Sequence, residues 1–278
     1  MPNVYLPLVE RWRGGKWSLQ HAPAPAGAQT SELSDVSCPN ENSCTAVGWY
    51  STEADREIPL VEAWNGRIWV IQLAPSPAGS TDSELVGVSC LSARACMAVG
   101  DSSLDVYPYG LTLAETWNGS TRSIEPPATL GPTAYSSELH FLSCASANDC
   151  TAVGSYGSGF MEASPLAERW NGASWRVEPT PDPDPVSQPF LMSVSCPSAK
   201  VCVADGIYFD KSDDGYQPIV MRWNGIRWVL ESTPDPKGRN SVWLGGVSCS
   251  SAKACMIVGS FAKAPTTATT ALSEHYAP

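Results

Sequence analysis

A tryptophan recurs along this chain at a nearly constant interval. Trp12, Trp64, Trp117, Trp170 and Trp223 are spaced by 52, 53, 53 and 53 residues. Each is followed, in the same phase, by a Leu, by Val-Ser-Cys or a close variant, by five residues, and by a second Cys that usually leads into Ala-Val-Gly. A block that repeats at fixed period through nearly all of 278 residues is one supersecondary unit used many times over. Repeats start near residues 7, 59, 112, 165 and 218, and a degenerate sixth start stands near 271, at Leu272-Ser273-Glu274-His275-Tyr276. The expectation is a single domain over 1–278.

Each period reads as four short strands. The first precedes the tryptophan, as in Pro7-Leu8-Val9-Glu10-Arg11-Trp12. Asn-Gly at 65–66, 118–119, 171–172 and 224–225, and Gly14-Gly15 in the first copy, supply residues that tolerate positive φ in a tight turn. A second tryptophan follows five residues after the first at Trp17, Trp69, Trp175 and Trp228, whereas the third copy has Arg122 there. Pro-rich connectors such as Ala22-Pro23-Ala24-Pro25 end that strand, because proline denies a sheet its backbone donors. The third and fourth strands flank the cysteine pair, as in Leu33 to Cys38 and Cys44 to Gly48.

The ten cysteines fall into five local pairs with none left over: Cys38–Cys44, Cys90–Cys96, Cys144–Cys150, Cys196–Cys202 and Cys249–Cys255. Five disulfides in an oxidising compartment are expected, hence a secreted or cell-surface protein. Two cysteines per repeat without a nearby histidine do not form a four-ligand zinc site. The opening MPNVYLPLVERW carries neither the basic nor the apolar region of a leader peptide. Charge is sparse and acidic, formally −11, which speaks against nucleic acid or anionic membrane as a general partner. No apolar run is long enough for membrane insertion.

A four-stranded unit cannot bury both faces alone, so stacked units bent into a ring are the economical solution. The fold class expected is all-β, a five-bladed β-propeller of five repeats of about 53 residues, one disulfide per repeat. Blade one should span roughly 31–74. The last repeat then has only an inner pair at 242–261, and the N-terminal strands near 6–12 and 16–20 should complete it, closing the ring by pairing the terminal segments.

WNGRIW at 64–69 and VSCLSARACMAVG at 88–100 carry a resemblance. The chain resembles the secreted, tryptophan-rich repeat proteins of actinobacteria whose units join a WNG-x-x-W hairpin to a VSC-x5-C-x-AVG hairpin. That group is largely uncharacterised, and the resemblance implies a propeller rather than a known activity.

No catalytic set stands out. The inner strands hold few carboxylates, namely Asp35, Asp101 and Asp205, and His21, His140 and His275 occupy unrelated repeat positions outside any nucleophile motif. The repeated tryptophans, with Glu10, Glu62, Glu115 and Glu168 two residues before, could present a sugar-binding surface, but the preferred reading makes the indoles inter-blade packing and the glutamates solvated. Residues outside the repeat phase are the better ligand-binding candidates: Trp49, Trp243 and Asp205, the last standing where other repeats have Val47, Val99 and Val153. Asp210, Ser212 and Asp214, followed by Gly215, have the alternate oxygen spacing of a weak calcium loop, although Met221 stands where a closing glutamate belongs, so an ordinary acidic loop is preferred. No other cofactor is expected. The function expected is an extracellular binding module, carbohydrate-binding in the manner of a lectin, with a glycan or protein surface as partner. A glycoside hydrolase or lyase, and a structural domain of a larger surface protein, are the alternatives.

Overall fold

Strands form where the repeat places them. The structure is a computed structural model that describes residues 5–54, 56–105, 110–131, 134–159, 162–183, 188–210, 215–234, 239–263 and 269–276. The chain forms two compact units, residues 1–126 and 127–278. In the first unit, β1 (Val9–Arg13) and β2 (Lys16–Gln20) make a hairpin. The strands β3 (Thr30–Asn40), β4 (Ser43–Ser51), β5 (Glu57–Trp64) and β6 (Trp69–Gln72) form an antiparallel sheet in chain order. The next sheet is β7 (Asp82–Ser92), β8 (Ala95–Ser103), β9 (Gly110–Trp117) and β10 (Arg122–Glu125). In the second unit, β11 (Ser136–Ser146), β12 (Asp149–Gly159), β13 (Glu162–Trp170) and β14 (Trp175–Glu178) repeat the pattern, as do β15 (Phe190–Ser198), β16 (Val201–Asp210), β17 (Gly215–Trp223) and β18 (Trp228–Glu231). A three-stranded sheet follows, β19 (Arg239–Ser251), β20 (Ala254–Lys263) and β21 (Thr269–Tyr276). The protein is thus all-β among the described residues, in six sheets of two to four strands, and the first four-stranded sheet spans nearly the residues expected of a first blade.

The turn chemistry explains the Asn-Gly pairs. Asn65 Oδ1 accepts the backbone N–H groups of Arg67 and Ile68 at 3.0 and 3.1 Å, while Gly66 takes φ 92°. Asn118, Asn171 and Asn224 hold their turns in the same way. The first hairpin uses Gly14 and Gly15, both at positive φ, in a two-residue turn between the Arg13–Lys16 pair. All five cysteine pairs are disulfides.

The glycine of Ala-Val-Gly has a different cause. The inner strand slips register beside it, between Leu33 and Asp35 in the first sheet. At that slip a Cβ on Gly48 would run into the carbonyl oxygen of Glu32. Gly100, Gly154, Gly206 and Gly259 meet the carbonyls of Glu84, Glu138, Phe190 and Trp243 in the same way. Only glycine permits this approach.

Within each unit the sheets pack face to face. Val47 and Val61 of the first sheet meet Leu85, Val88, Ala98 and Leu113 of the second. Val203 and Val220 of the β15–β18 sheet meet Val242, Leu244 and Ile257 of the next. The Ser of Val-Ser-Cys ties neighbouring sheets together. Ser37 Oγ accepts the N–H of Cys90 at 2.9 Å, Ser143 that of Cys196 at 3.0 Å, and Ser195 that of Cys249 at 3.0 Å. Asp35 adds a second tie in the first unit, its Oδ2 accepting the Val88 N–H at 2.8 Å.

Two expectations are corrected. The last sheet is not completed by the N-terminal strands. β21 occupies the edge of β20 in the repeat register, Cys255 opposite Tyr276 as Cys44 is opposite Trp64, and β1 pairs with β2. β21, which contains the terminal Leu-Ser-Glu-His-Tyr copy, follows β20 by only five residues, so pairing it closes a far shorter loop than recruiting residues 6–12. The repeated glutamates are not solvated either. Glu62, Glu115 and Glu168 are buried, and only Glu10 is exposed. Glu62 has neither carboxyl oxygen hydrogen-bonded, and burial pushes its pKa up to about 7. Burial does the same to Glu115, up to about 7, offset in part by Arg122.

Candidate functional site

The indole pairs of the outer hairpins serve packing. Trp64–Trp69, Trp170–Trp175 and Trp223–Trp228 lie with ring centroids 5.7, 5.8 and 5.9 Å apart, and all six side chains are buried. Arg122, standing where the third repeat lacks its tryptophan, lies 5.1 Å from the Trp117 centroid. The exception is Trp12–Trp17, the same pair at 5.6 Å but 55% and 63% exposed. A cavity of about 470 Å³ lies between this hairpin and the first sheet, walled by Trp12, Trp17, Val36, Trp64 and Trp69. Its exposed surface is mostly apolar, and Glu10, Arg11, Arg13, Gln20, Asn40 and Glu41 also line it.

A second cavity, of about 370 Å³, has the opposite character. Thr30, Trp49, Ser51, Glu57, Asp82 and Ser103 line it. Thr30 begins β3, Ser51 ends β4, Glu57 begins β5, Asp82 begins β7 and Ser103 ends β8, so the cavity collects one end of two neighbouring sheets. Backbone ties hold this end together. The Glu57 N–H donates to Asp82 Oδ1 at 3.0 Å. Arg56 donates from Nε to the Thr81 carbonyl at 2.7 Å and from its terminal guanidinium nitrogen to the Ser80 carbonyl. The site therefore holds one half-buried indole, two carboxyl groups and three hydroxyls, of which Thr30 Oγ1 already accepts the Tyr5 N–H at 3.2 Å and donates to the Tyr5 carbonyl at 3.3 Å. That is the composition of a pocket that orients a small polar ligand.

Of the expected ligand-binding residues, Trp49 lines this cavity. Glu57 and Asp82 were not singled out from the sequence. The available signal was their departure from the repeat: Glu57 aligns with Gly110, Ala163 and Tyr216, and Asp82 with Thr30, Ser136, Gln188 and Ser241.

The other expected residues lie elsewhere. Trp243 is 45% exposed and meets Tyr216 edge-on at 5.6 Å, which meets Phe209 at 5.5 Å, giving a ridge of three rings in the second unit. Asp205 is closed off from solvent, and its Oδ2 accepts the Gly246 N–H at 3.1 Å. Burial pushes its pKa up to about 7. It ties two sheets, as Asp35 does in the first unit. Asp210 ends β16 opposite Gly215, while Ser212 and Asp214 lie outside the described residues. His140 bridges Glu138, 3.3 Å away, and the Leu191 carbonyl, 2.8 Å away. Ser155 donates to the Glu138 carboxylate rather than to the imidazole, so the three make no nucleophile–base pair. No helix of the described residues is long and apolar enough to cross a membrane.

No family model and no curated protein matches the chain. Similar solved structures include YCF48 bound to D1 peptide, at 12% identity and TM-score 0.40 over 89% of this chain and 82% of that one. A sucrose-6-phosphate hydrolase from Lactobacillus gasseri shares 8% identity at TM-score 0.46, over 90% of this chain and 59% of its own. The GH74 xyloglucanase from Xanthomonas campestris shares 12% at TM-score 0.43, over 83% of this chain and 37% of its own. No residue role is carried over from them.

Proposed function

We propose that the protein is an extracellular carbohydrate-binding module, its sheets being the five blades of a β-propeller. The carrying observation is the cavity in the first unit, which Trp49 lines together with Glu57, Asp82, Thr30, Ser51 and Ser103. An indole packs against the apolar C–H face of a sugar ring, and carboxylates and hydroxyls take its hydroxyl groups. The five disulfides support an oxidising, extracellular setting. A glycan array probed with the 278-residue chain and with Trp49→Ala tests the reading. Glycan binding that Trp49→Ala weakens about tenfold supports it; an unbound array, or binding indifferent to Trp49→Ala, overturns it.

A second reading draws on the same cavity. Two carboxyl groups are the minimum set for glycoside hydrolysis. Turnover of a bound glycan, abolished by both Glu57→Gln and Asp82→Asn, would replace the binding module by a hydrolase.

A further inference from the structure

The five disulfides are not equally covered. Of the ten cysteines, all of them described, Cys38 alone is exposed, and its partner Cys44 is half-buried. In each of the other four pairs at least one cysteine is buried. The preceding sheet does the covering. Thr45, next after Cys44, places its Oγ1 3.6 Å from Cys96 Sγ of the second sheet, and Cys90 packs on the core that the two sheets share. In the second unit Thr151 Oγ1 stands 3.6 Å from Cys202 Sγ, and Cys255 packs with Val203, which follows Cys202. The residue after the second cysteine of one sheet thus shields the second cysteine of the next. The first sheet is met instead by the β1–β2 hairpin, which has only the outer strands of a repeat. Val9 of that hairpin reaches the cluster around Cys44. Where those other sheets meet an inner strand, the first borders the cavity of about 470 Å³, and Cys38 and Cys44 both line it.

We infer that the Cys38–Cys44 disulfide is a site of exchange with small thiols, entered through this cavity, while the other four pairs are closed to them. A thiolate attacks the exposed Cys38 sulfur. The Cys38–Cys44 bond breaks as a bond forms between Cys38 and the incoming sulfur, and Cys44 leaves as a thiolate that takes a proton from water. The product is a mixed disulfide on β3. A second thiolate, attacking the incoming sulfur, releases the small thiol as its own disulfide and leaves Cys38 as a thiolate, so two thiols are oxidised and the pair is reduced. The rate of such exchange depends on access as well as on thiolate fraction, and access sets this pair apart. The β3–β4 ladder runs from Thr30 opposite Ser51 to Asn40 opposite Ser43, on both sides of the disulfide, so the sheet stays paired when the bond opens. The inference is independent of the carbohydrate reading.

The experiment incubates the oxidised chain with reduced glutathione at mildly alkaline pH, quenches by acid and alkylation at timed intervals, and locates adducts and free thiols by peptide mass spectrometry. Cys38 and Cys44 should react at least about tenfold faster than any other pair. Equal rates at all five pairs, or another pair reacting first, overturn the site. Urea below the unfolding transition separates local access from unfolding: a Cys38–Cys44 rate that climbs in step with the other four overturns it too. Val36, 53% exposed, lines the cavity. Val36→Trp narrows it and should slow exchange at Cys38–Cys44 alone with the melting temperature kept; an unchanged rate in the folded variant overturns the cavity as the entry. Thr45→Ala uncovers the Cys96 sulfur and should speed exchange at Cys90–Cys96. A Cys90–Cys96 pair that stays inert in that variant overturns the shielding on which the selectivity rests.

Discussion

The same corner of the repeat is built twice in two ways. In the first unit the end of one sheet meets the next through Glu57 and Asp82, and Trp49 closes a polar cavity. In the second unit the equivalent corner holds Tyr216 and Ser241, and Phe209, Tyr216 and Trp243 form an aromatic ridge. The backbone tie is common to both, an N–H at the start of one third strand donating to a side-chain oxygen at the start of the next first strand. The scaffold therefore fixes a corner and leaves the side chains around it free. Binding chemistry can change there without touching the sheets.

The comparison breaks most readily at the glycines beneath the corners. Gly48→Ala drives a Cβ into the Glu32 carbonyl under the acidic cavity, and Gly259→Ala does the same against Trp243 under the ridge. Each should cost ~3 kcal/mol or more, seen by chemical denaturation, with Gly48→Ala also abolishing ligand binding. Protonation comes next. Glu62 and Glu115 in the first unit and Asp205 in the second have pKa values raised by burial to about 7, so the folded chain holds their protons more tightly than the unfolded one. The stability this brings is complete below their ordinary values near 4 and is lost as pH rises through 7. The melting temperature should accordingly be higher at pH 5 than at pH 8, and Glu62→Gln should stabilise at pH 8 by ~2 kcal/mol with little effect at pH 4. Trp49→Ala should weaken glycan binding by about tenfold, ~1.4 kcal/mol, while Trp243→Ala leaves it unchanged; equal losses would erase the distinction between the corners. Smallest are the ties. Ser37→Ala and Ser195→Ala each leave one inter-sheet N–H without its acceptor and should cost ~1 kcal/mol in differential scanning calorimetry.

Local features of the fold were legible in the sequence. The period, the disulfide partners and the Asn-Gly turns each depend on residues close together in the chain, so their spacing is their geometry. What depended on stacking was not. Glu62 reads as the polar residue of an amphipathic strand, and only the neighbouring sheet decides that it is buried. The edge partner of β20 turned on a competition between two similar segments, settled by loop length rather than by motif. The candidate site sits between these cases. Trp49 stood out because it departs from the repeat, but Glu57 and Asp82 lie 25 residues apart, and nothing short of the packed sheets puts them in one cavity with it.

The tilted indole pairs have an optical consequence. Trp12–Trp17, Trp64–Trp69, Trp170–Trp175 and Trp223–Trp228 share centroid distances of 5.6 to 5.9 Å and interplanar angles of 46 to 56°. Two chromophores so close and so tilted exchange excitation and split their transitions, so each pair should add an exciton signal to the circular dichroism. The protein therefore carries its own spectroscopic gauge of hairpin register, in which three pairs emit from a dry environment and one, on β1 and β2, emits to the red and is open to a soluble quencher.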